Sequence, residues 1–437
     1  MPEIIIHRGA QTIGGSCIEI NASGSRIILD IGMPLMEKGG EEIDAEKLEN
    51  PSVENKILPD VKGLYKDEIP EIDAVFISHA HIDHYGLLNY IHPSIPVYLS
   101  KGSRALLEIG RVFHPDQNKV FFDNFRIFDH WKPMDIGALK ITSYLADHSA
   151  YDASSLLIEA GDKKIFYTGD FRGHGRKAKL LDRLIKDPIK DVDCMLMEGT
   201  TIGGGHQDGF EDETGVEKAM GEIFSNQKDV CFVMAAGSNI DRLVSLYRAT
   251  KKCGKTLVLD LYTYYVLDRL KAFTPALPPH KGDHIRIFYI RNHAQNIVDH
   301  LEKEILYKYK YRKIEISEIA DNRRDMVLKL PVSAMKRIAN ELITTKPLDE
   351  ANFVFSMWPG YLEKDDYYYA FCRKFNTELA KVHVSGHAYL DALKDLAAAM
   401  KPKMLIPVHT LSGDDFSKHF NNVLRVEDSV PCSIYMW

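Results

Sequence analysis

Asp73-Ala74-Val75-Phe76-Ile77-Ser78-His79-Ala80-His81-Ile82-Asp83-His84-Tyr85-Gly86 is the stretch that decides the fold of this chain. Its first half is an apolar run that predicts a buried β-strand. Its second half places His79, His81, Asp83 and His84 within six residues, directly after that strand. Alternate side chains of an extended segment share one side, so His79 and His81 can face one ion while Asp83 and His84 face a second. Imidazole and carboxylate donors without a thiolate are typical of zinc sites, whereas a polar loop with unrelated histidines is disfavoured by this spacing.

Three further polar residues, one before the motif and two after it, follow apolar runs. Asp30 ends Ile27-Ile28-Leu29, His148 lies in Ala146-Asp147-His148-Ser149, and Asp170 ends Phe166-Tyr167-Thr168-Gly169. Alone, His148 is equally typical of a packed or surface histidine, and Asp170 of a turn. With the strong motif between them, the whole order resembles the signature of the metallo-β-lactamase superfamily.

That resemblance implies a role for each residue of the pattern. One zinc ion would be held by His79, His81 and His148, and a second by Asp83, His84 and a later histidine. Asp170 would lie between the two ions, and Asp30 would match the early structural aspartate of the family. Manganese could replace zinc in vitro.

The second half of the chain carries three more motifs. Glu198 ends the apolar run Cys194-Met195-Leu196-Met197, and Ser385-Gly386-His387-Ala388 and Pro407-Val408-His409 follow much later. These motifs resemble those of the β-CASP nucleases, most of all the ribonuclease J branch. The resemblance implies that His409 completes the second zinc site and that His387 binds the scissile phosphate and protonates or stabilises the leaving oxygen. Ser385 would donate to a phosphate oxygen, and Glu198 would orient a ligand histidine. An ordinary strand-end carboxylate and a capping or packed histidine are the structural alternatives for Glu198 and His387.

The fold class follows from the same resemblance and from the order of predicted elements. Strands with interspersed helices fill the first two hundred residues, and a βαβ alternation typical of a parallel sheet begins after Gly203-Gly204-Gly205. We expect an α/β protein with a four-layer αββα metallo-β-lactamase fold and an inserted α/β β-CASP domain. The expected limits are 1–203 and 379–437 for the first domain and 204–378 for the insert. We also expect a mostly helical basic stretch from 280 to 342, a strand over Lys381–Val384 and a helix over Phe416–Leu424.

Composition bounds the location and the partners of the protein. The 437 residues are 45% hydrophobic and 27% charged, and no apolar run reaches the length that spans a membrane. The six cysteines are far apart, which favours free thiols in a reducing cytoplasm. The net charge is −7, but Asp241–Lys346 holds 21 Lys and Arg against 12 Asp and Glu, so the remainder carries −16. A basic middle favours a polyanionic partner, although a solvated helical surface explains it equally well.

We therefore predict a zinc-dependent ribonuclease that cleaves single-stranded RNA through a hydroxide activated by two metal ions, with 5′-to-3′ exonuclease action as the expected mode. A DNA nuclease is the nearest alternative, although the family's DNA-repair members tend to lack the final histidine. A small-molecule hydrolase would lack the long insert, and a non-catalytic subunit of an RNA-processing complex would lose metal ligands. Only 28 residues follow His409, so we expect a stand-alone two-domain protein. Its self-association or assembly with partners is left open.

Overall fold

A computed structural model describes residues 2–36, 40–41, 43–115, 118–203, 209–364 and 366–434. The chain divides into two compact units. The first unit is Met1–His206 together with Gly386–Trp437, and the second is Gln207–Ser385. Within the ranges just given, no helix has the length and apolar character needed to cross a membrane.

The first segment of the first unit is dominated by short strands. These strands are β1 Glu3–Arg8, β2 Cys17–Ala22, β3 Ser25–Leu29, β4 Ala74–Phe76, β5 Val97–Leu99, β6 Phe125–Ile127, β7 Pro133–Ile136, β8 Leu139–Leu145, β9 Ser154–Ala160, β10 Lys163–Tyr167 and β11 Cys194–Glu198. The helices between them are α1 Ala45–Glu49, α2 Ile82–Tyr85, α3 Lys101–Phe113 and α4 Lys179–Lys186.

The second unit alternates strands and helices. Its strands are β12 Cys231–Met234, β13 Thr256–Asp260, β14 Ile285–Phe288, β15 Lys313–Ile314, β16 Met326–Lys329, β17 Ala351–Phe355 and β18 Thr377–Lys381. Its helices are α5 Glu213–Asn226, α6 Ile240–Lys252, α7 Leu261–Leu270, α8 Arg291–His300, α9 Glu304–Tyr309, α10 Ile316–Asp321, α11 Val332–Thr345, α12 Gly360–Lys364 and α13 Tyr367–Phe375. The chain then returns to the first unit with α14 Leu390–Met400, β19 Met404–Val408 and β20 Pro431–Ser433.

Two sheets form the centre of the first unit. One has the strand order β20-β1-β2-β3-β4-β5-β6 and the other β19-β11-β10-β9-β8-β7. Their facing sides share one apolar core, to which Leu29 and Phe76 contribute from one sheet and Ile165 and Leu196 from the other. Both sheets are buried on both faces, which is why their central strands are continuous apolar runs rather than alternating ones.

Helices cover the outer face of each sheet. Val75 and Ile77 pack beside Leu107 of α3 on one side, while Met195 packs beside Leu181 of α4 and Leu393 of α14 on the other. The layers therefore run helix, sheet, sheet, helix, which confirms the expected αββα architecture. The strands β10, β11 and β19 are parallel neighbours, so their carboxyl ends lie at the same edge of the sheet.

The second unit is an α/β structure with a parallel sheet of order β15-β14-β13-β16-β12-β17-β18. The prediction of a mostly helical stretch from 280 to 342 is wrong in part. β14, β15 and β16 lie within these residues and form one flank and the centre of this sheet.

Two local predictions near the return to the first unit also differ from the structure. We expected a strand over Lys381–Val384 and the return at 379, but β18 begins at Thr377 and pairs along its length with β17. The backbone N–H of Val382 also donates to the carbonyl of Phe355, so residues 379–385 belong to the second unit. The first predicted limit, at 204, lies outside the described residues. The helix expected over Phe416–Leu424 is instead a 3₁₀ turn over Gly413–Lys418.

Candidate metal centre

The loop after β4 is fixed by backbone hydrogen bonds to two other segments of the first unit. The carbonyl of Asp83 accepts from the N–H groups of Gly15 and Ser16, and the carbonyl of His84 accepts from Ile31. His81 keeps an extended conformation directly before the helix α2. The turn that spreads the four motif side chains is therefore set by main-chain contacts.

Gly32 permits this close approach. A Cβ atom at Gly32 would lie 1.7 Å from the carbonyl oxygen of Asp83, a backbone atom that cannot rotate away. We expect Gly32→Ala to lower the melting temperature by roughly 2–10 °C, because such overpacking costs roughly 1–3 kcal/mol and a domain of this size loses roughly 2–4 °C per kcal/mol. Thermal unfolding checks this, with Gly221→Ala as the control, since a Cβ there meets nothing within 4 Å. An unchanged melting temperature for Gly32→Ala would show that the loop can move.

The structure brings His79, His81 and His148 together. One ring nitrogen of each lies within 4.8 Å of the others, and the Nε2 atom of His148 is 3.2 Å from the Nδ1 atom of His81. Burial, reinforced by the neighbouring imidazoles, lowers the pKa of His79 and His148. Desolvation likewise lowers the pKa of His81 to about 4. At neutral pH these rings are uncharged, the form in which imidazole coordinates a metal.

A second group contains Asp83, His84 and His409, whose ligand atoms also lie within 4.8 Å of one another. The Nε2 atom of His409 is 3.2 Å from Oδ2 of Asp83, and Nε2 of His84 is 3.8 Å from the same oxygen. Burial would raise the pKa of Asp83, but the imidazoles of His84 and His409 outweigh it and hold the pKa far below its ordinary value. The structure therefore brings His409 to the motif residues, although 325 positions separate it from His84.

Asp170 lies between the two groups. Its Oδ2 atom is 3.2 Å from Nε2 of His84 and 3.8 Å from Nε2 of His79, and its Oδ1 atom is 3.7 Å from Nδ1 of His409. The side chain is 2% exposed. Burial would raise the pKa of Asp170, but His409 and His84 keep it well below the ordinary value, so the group is a carboxylate.

The donor set fits a divalent metal. Both carboxylate oxygens of Asp170, Nε2 of His79 and Nε2 of His84 are buried, and in the part of the chain that the structure describes none makes a hydrogen bond of good geometry, although they lie within 4 Å of one another's residues. Buried polar atoms are normally paired, and several orphaned ligand atoms that converge on common points suit a cation. No cysteine belongs to these groups, so the ligands are nitrogen and oxygen atoms of the kind zinc accepts.

Asp30 fixes the orientation of the His84 ring through its Nδ1 atom. Its carboxylate accepts hydrogen bonds from the backbone N–H of Ser78 at 2.7 Å, the hydroxyl of Ser78 at 2.8 Å and the hydroxyl of Tyr167 at 2.7 Å. The Nδ1 atom of His84 lies 2.8 Å from Asp30, which turns Nε2 of His84 toward Asp170. The sequence predicts a structural role for Asp30 but none for Ser78 or Tyr167. Their positions near strand ends do not by themselves indicate a hydrogen bond to Asp30.

We expect Asp30→Asn to weaken metal affinity by about 10- to 100-fold, because loss of a carboxylate behind a ligand histidine typically has an effect of that size. Competition with a chromophoric chelator measures the affinity. Asp73→Asn serves as the control, since Asp73 is exposed and its carboxylate accepts a hydrogen bond from the backbone N–H of Arg26. Equal affinities of the Asp30→Asn variant and the unaltered protein would rule out this orienting role.

Glu198 and His387 form a pair beside Asp170. The Glu198 carboxylate accepts from the backbone N–H groups of Phe171 and Ala388 at 3.1 and 3.4 Å, and it lies 3.2 Å from Nδ1 of His387. We expected Glu198 to orient a ligand histidine, but the histidine it contacts is His387. Burial lowers the pKa of His387, but the carboxylates of Glu198 and Asp170 outweigh it and raise the pKa to about 9.

Two residues complete the account of the expected site. Thr200, which the sequence analysis missed, places its hydroxyl 2.9 Å from Nδ1 of His409, and its backbone N–H donates to Glu198. Ser385 is buried and ends the second unit, while its neighbour Gly386 begins the returning segment of the first unit. A Cβ at Gly386 would lie 2.6 Å from the hydroxyl oxygen of Ser149, whose side chain would then have to rotate.

Comparison with family models matches two parts of the chain. A model described as a beta-lactamase superfamily domain matches residues 50–208, and one described as a Zn-dependent metallo-hydrolase RNA specificity domain matches residues 374–427. The first range contains the motif at His79 and continues through Glu198, and the second contains His387 and His409.

Several curated proteins resemble large parts of the chain. Ribonuclease J of Helicobacter pylori (strain ATCC 700392 / 26695) is 25% identical over 414 residues, which cover 92% of this chain and 55% of the relative. Ribonuclease J of Mycolicibacterium smegmatis is 23% identical over 419 residues, with 92% and 67% covered. A probable RNase MJ4 of Methanocaldococcus jannaschii is 29% identical over 225 residues, with 47% of each chain covered. The chain thus spans about half the length of the Helicobacter relative.

A solved structure shares the fold. The crystal structure of a protein of unknown function from Enterococcus faecalis V583 matches 99% of this chain and 99% of its own, with a TM-score of 0.77 and 21% sequence identity.

Proposed function

Because the chain is a metallo-β-lactamase-fold protein that resembles ribonuclease J over most of its length, we propose that it is a zinc-dependent ribonuclease that hydrolyses phosphodiester bonds of single-stranded RNA. The observation that carries the proposal is the pair of donor groups joined by Asp170, with His387 and Glu198 beside them. The match of residues 374–427 to an RNA specificity domain favours RNA over other substrates of the superfamily.

Two zinc ions are the proposed cofactors, and manganese is a proposed substitute. His79, His81 and His148 would hold one ion, Asp83, His84 and His409 the other, and Asp170 would contact both. Bound there, the ions would neutralise charge on the phosphate oxygens and lower the pKa of an attacking water molecule.

The chain's own side chains would manage the leaving group. The Glu198 carboxylate, 3.2 Å from Nδ1 of His387, would favour the protonated form of this ring, and 23% of the His387 side chain is exposed, so a substrate can reach it. It would donate its proton to the oxygen that leaves phosphorus when the P–O bond breaks. Glu198 would hold the ring in position through Nδ1, which leaves Nε2 for the substrate. Ser385 would donate its hydroxyl hydrogen to a non-bridging phosphate oxygen.

Exonuclease action in the 5′-to-3′ direction is proposed from the resemblance to ribonuclease J. A cytoplasmic location is proposed because all six cysteines are free thiols and four of them are buried. Single-stranded RNA is the proposed partner, and self-association or assembly into a complex is not part of the proposal.

The experiment is an incubation of the purified chain with 5′-labelled and 3′-labelled single-stranded RNA and DNA of one sequence, with zinc or manganese supplied. The Asp83→Ala, His84→Ala double variant should be inactive, and the exposed-site control His419→Ala should match the unaltered protein. Release of labelled mononucleotide from the 5′-labelled RNA would support 5′ exonuclease action, and defined internal fragments would indicate an endonuclease. Cleavage of DNA alone, or of neither polymer, would overturn the ribonuclease proposal.

A further inference from the structure

Two exposed tyrosines stand on the second unit within the segment Tyr307-Lys308-Tyr309-Lys310-Tyr311-Arg312-Lys313. Tyr307 is 69% exposed and Tyr311 is 73% exposed, whereas Tyr309 between them is buried. The segment is the end of α9 continued by a 3₁₀ turn over Lys310–Arg312, and both Tyr307 and Tyr311 lie on its exposed side while Tyr309 faces the interior. We call the surface formed by Tyr307, Tyr311 and the neighbouring lysines Lys303 and Lys310 the tyrosine patch.

The patch is anchored from inside the unit. The hydroxyl of Tyr309 donates to Asp268 at 2.7 Å, and Lys308 pairs with the same carboxylate at 2.7 Å. The Nε atom of Arg312 donates to the Tyr311 hydroxyl at 3.1 Å, and the Arg312 guanidinium carbon is 5.2 Å from the centre of the Tyr311 ring. The Tyr311 ring is thus held in place while most of it faces solvent, which lowers the entropy lost when a flat ligand stacks on it.

The patch also carries the positive charges of two lysines. Lys303 and Lys310 are exposed, and among the described residues neither pairs with a carboxylate within 4 Å, although Glu302 and Glu304 flank Lys303 in the chain. The guanidinium of Arg312 donates to the backbone carbonyls of His280 and Ile285, which are uncharged. By contrast, Lys313 is paired with Glu315.

This combination of surface features favours one class of ligand. Exposed aromatic rings beside cations are the chemistry that binds single-stranded nucleic acids, since bases stack on the rings while lysines contact phosphates. Interfaces between proteins are depleted in lysine, so a protein partner fits these side chains less well. The patch also lies in the basic stretch Asp241–Lys346, whose net charge is +9.

We propose that the tyrosine patch is an accessory binding site for single-stranded RNA, with Tyr307 and Tyr311 stacking on bases and Lys303 and Lys310 contacting phosphates. This inference rests on the proposed function for the identity of the nucleic acid. It predicts that part of the affinity for a long RNA comes from residues outside the candidate metal centre.

The test compares the Tyr307→Ala, Tyr311→Ala double variant with the unaltered protein. Fluorescence anisotropy measures the affinity for a labelled single-stranded RNA of about 20 nucleotides, long enough for several stacking contacts. A chelator in the buffer keeps the RNA intact. The dissociation constant should rise about tenfold or more, because each stacked base contributes substantially to affinity. The Tyr307→Phe, Tyr311→Phe variant keeps both rings and should bind within about twofold of the unaltered protein.

Phe121→Ala is the matched control, because Phe121 is 67% exposed and belongs to the first unit. The accessory site is overturned if the double alanine variant has the same dissociation constant as the unaltered protein. It is also overturned if the variant loses no more affinity than Phe121→Ala does. A protein that binds no RNA at all overturns it as well. Cleavage is measured separately with zinc or manganese. If the tyrosines prove necessary for binding but no RNA is cleaved, the ribonuclease proposal fails while the accessory site stands.

Discussion

Asp170→Asn is expected to reduce RNA cleavage at least a thousand-fold and to reduce the metal content of the purified protein. Asp170 is the side chain that approaches both donor groups, at 3.8 Å from His79 of the first group and 3.2 Å from His84 of the second. Asparagine has nearly the same shape but no negative charge, so both metal positions lose an anionic donor at once. A loss of about 4 kcal/mol of transition-state stabilisation corresponds to about a thousand-fold in rate.

Two measurements check this expectation, the metal-to-protein ratio by mass spectrometry and the initial rate of RNA cleavage. Asp129→Asn is the control, since Asp129 is an exposed carboxylate paired with Lys101 and Lys132 at the surface of the same unit. A variant at Asp170 that kept both its metal content and its rate would show that Asp170 does not join the two groups in the working protein.

His387→Ala should lower the rate of RNA cleavage by about 10²- to 10⁴-fold, the usual contribution of a positioned proton donor. The metal content should stay unchanged if His387 serves the leaving group. The metal content distinguishes this role from metal binding, because a ring nitrogen of His387 lies within 4.8 Å of ligand atoms of Asp170 and His409. A drop in metal content would therefore reassign His387 as a metal ligand.

A substrate with a good leaving group sharpens the same test. A nitrophenyl phosphodiester releases a phenolate that needs little protonation, so its cleavage should suffer much less from His387→Ala than cleavage of RNA. Equal losses for the two substrates would contradict the role of proton donor. The Glu198→Gln variant should show the same pattern more weakly, because Glu198 acts through Nδ1 of His387.

Much of the architecture could be predicted from the sequence because the central strands are strongly apolar. Ile27-Ile28-Leu29 and Met195-Leu196-Met197 are buried on both faces and were found as strands. The strands β6, β7, β14, β15, β16, β18 and β20 were missed. Most of them are short, lie at or next to sheet edges and expose part of their surface, so their composition is that of loops. β16 is the exception, because it is buried at the centre of its sheet and has only four residues within a stretch that is otherwise rich in helices.

The site residues that lie close together in the sequence were easier to predict than those brought together by the fold. The four motif residues lie within six positions and were read from spacing alone. Asp170 and His409 follow strands and Glu198 ends one, and β10, β11 and β19 are parallel neighbours, so the convergence of these side chains follows from topology. By contrast, the contacts of Ser78, Tyr167 and Thr200 depend on side-chain geometry across distant strands. The sequence carries no pattern for such contacts.

The late return of the chain to the first unit has a consequence for the order of synthesis. β19 and His409 follow the whole of Gln207–Ser385, so a growing chain holds six of the seven expected donors long before the last one exists. Until β19 arrives, β11 is an open edge whose backbone groups are free to pair with another strand. A message cut within the second unit would therefore yield an aggregation-prone fragment without its final metal donor, and full-length translation becomes a condition for assembling the centre.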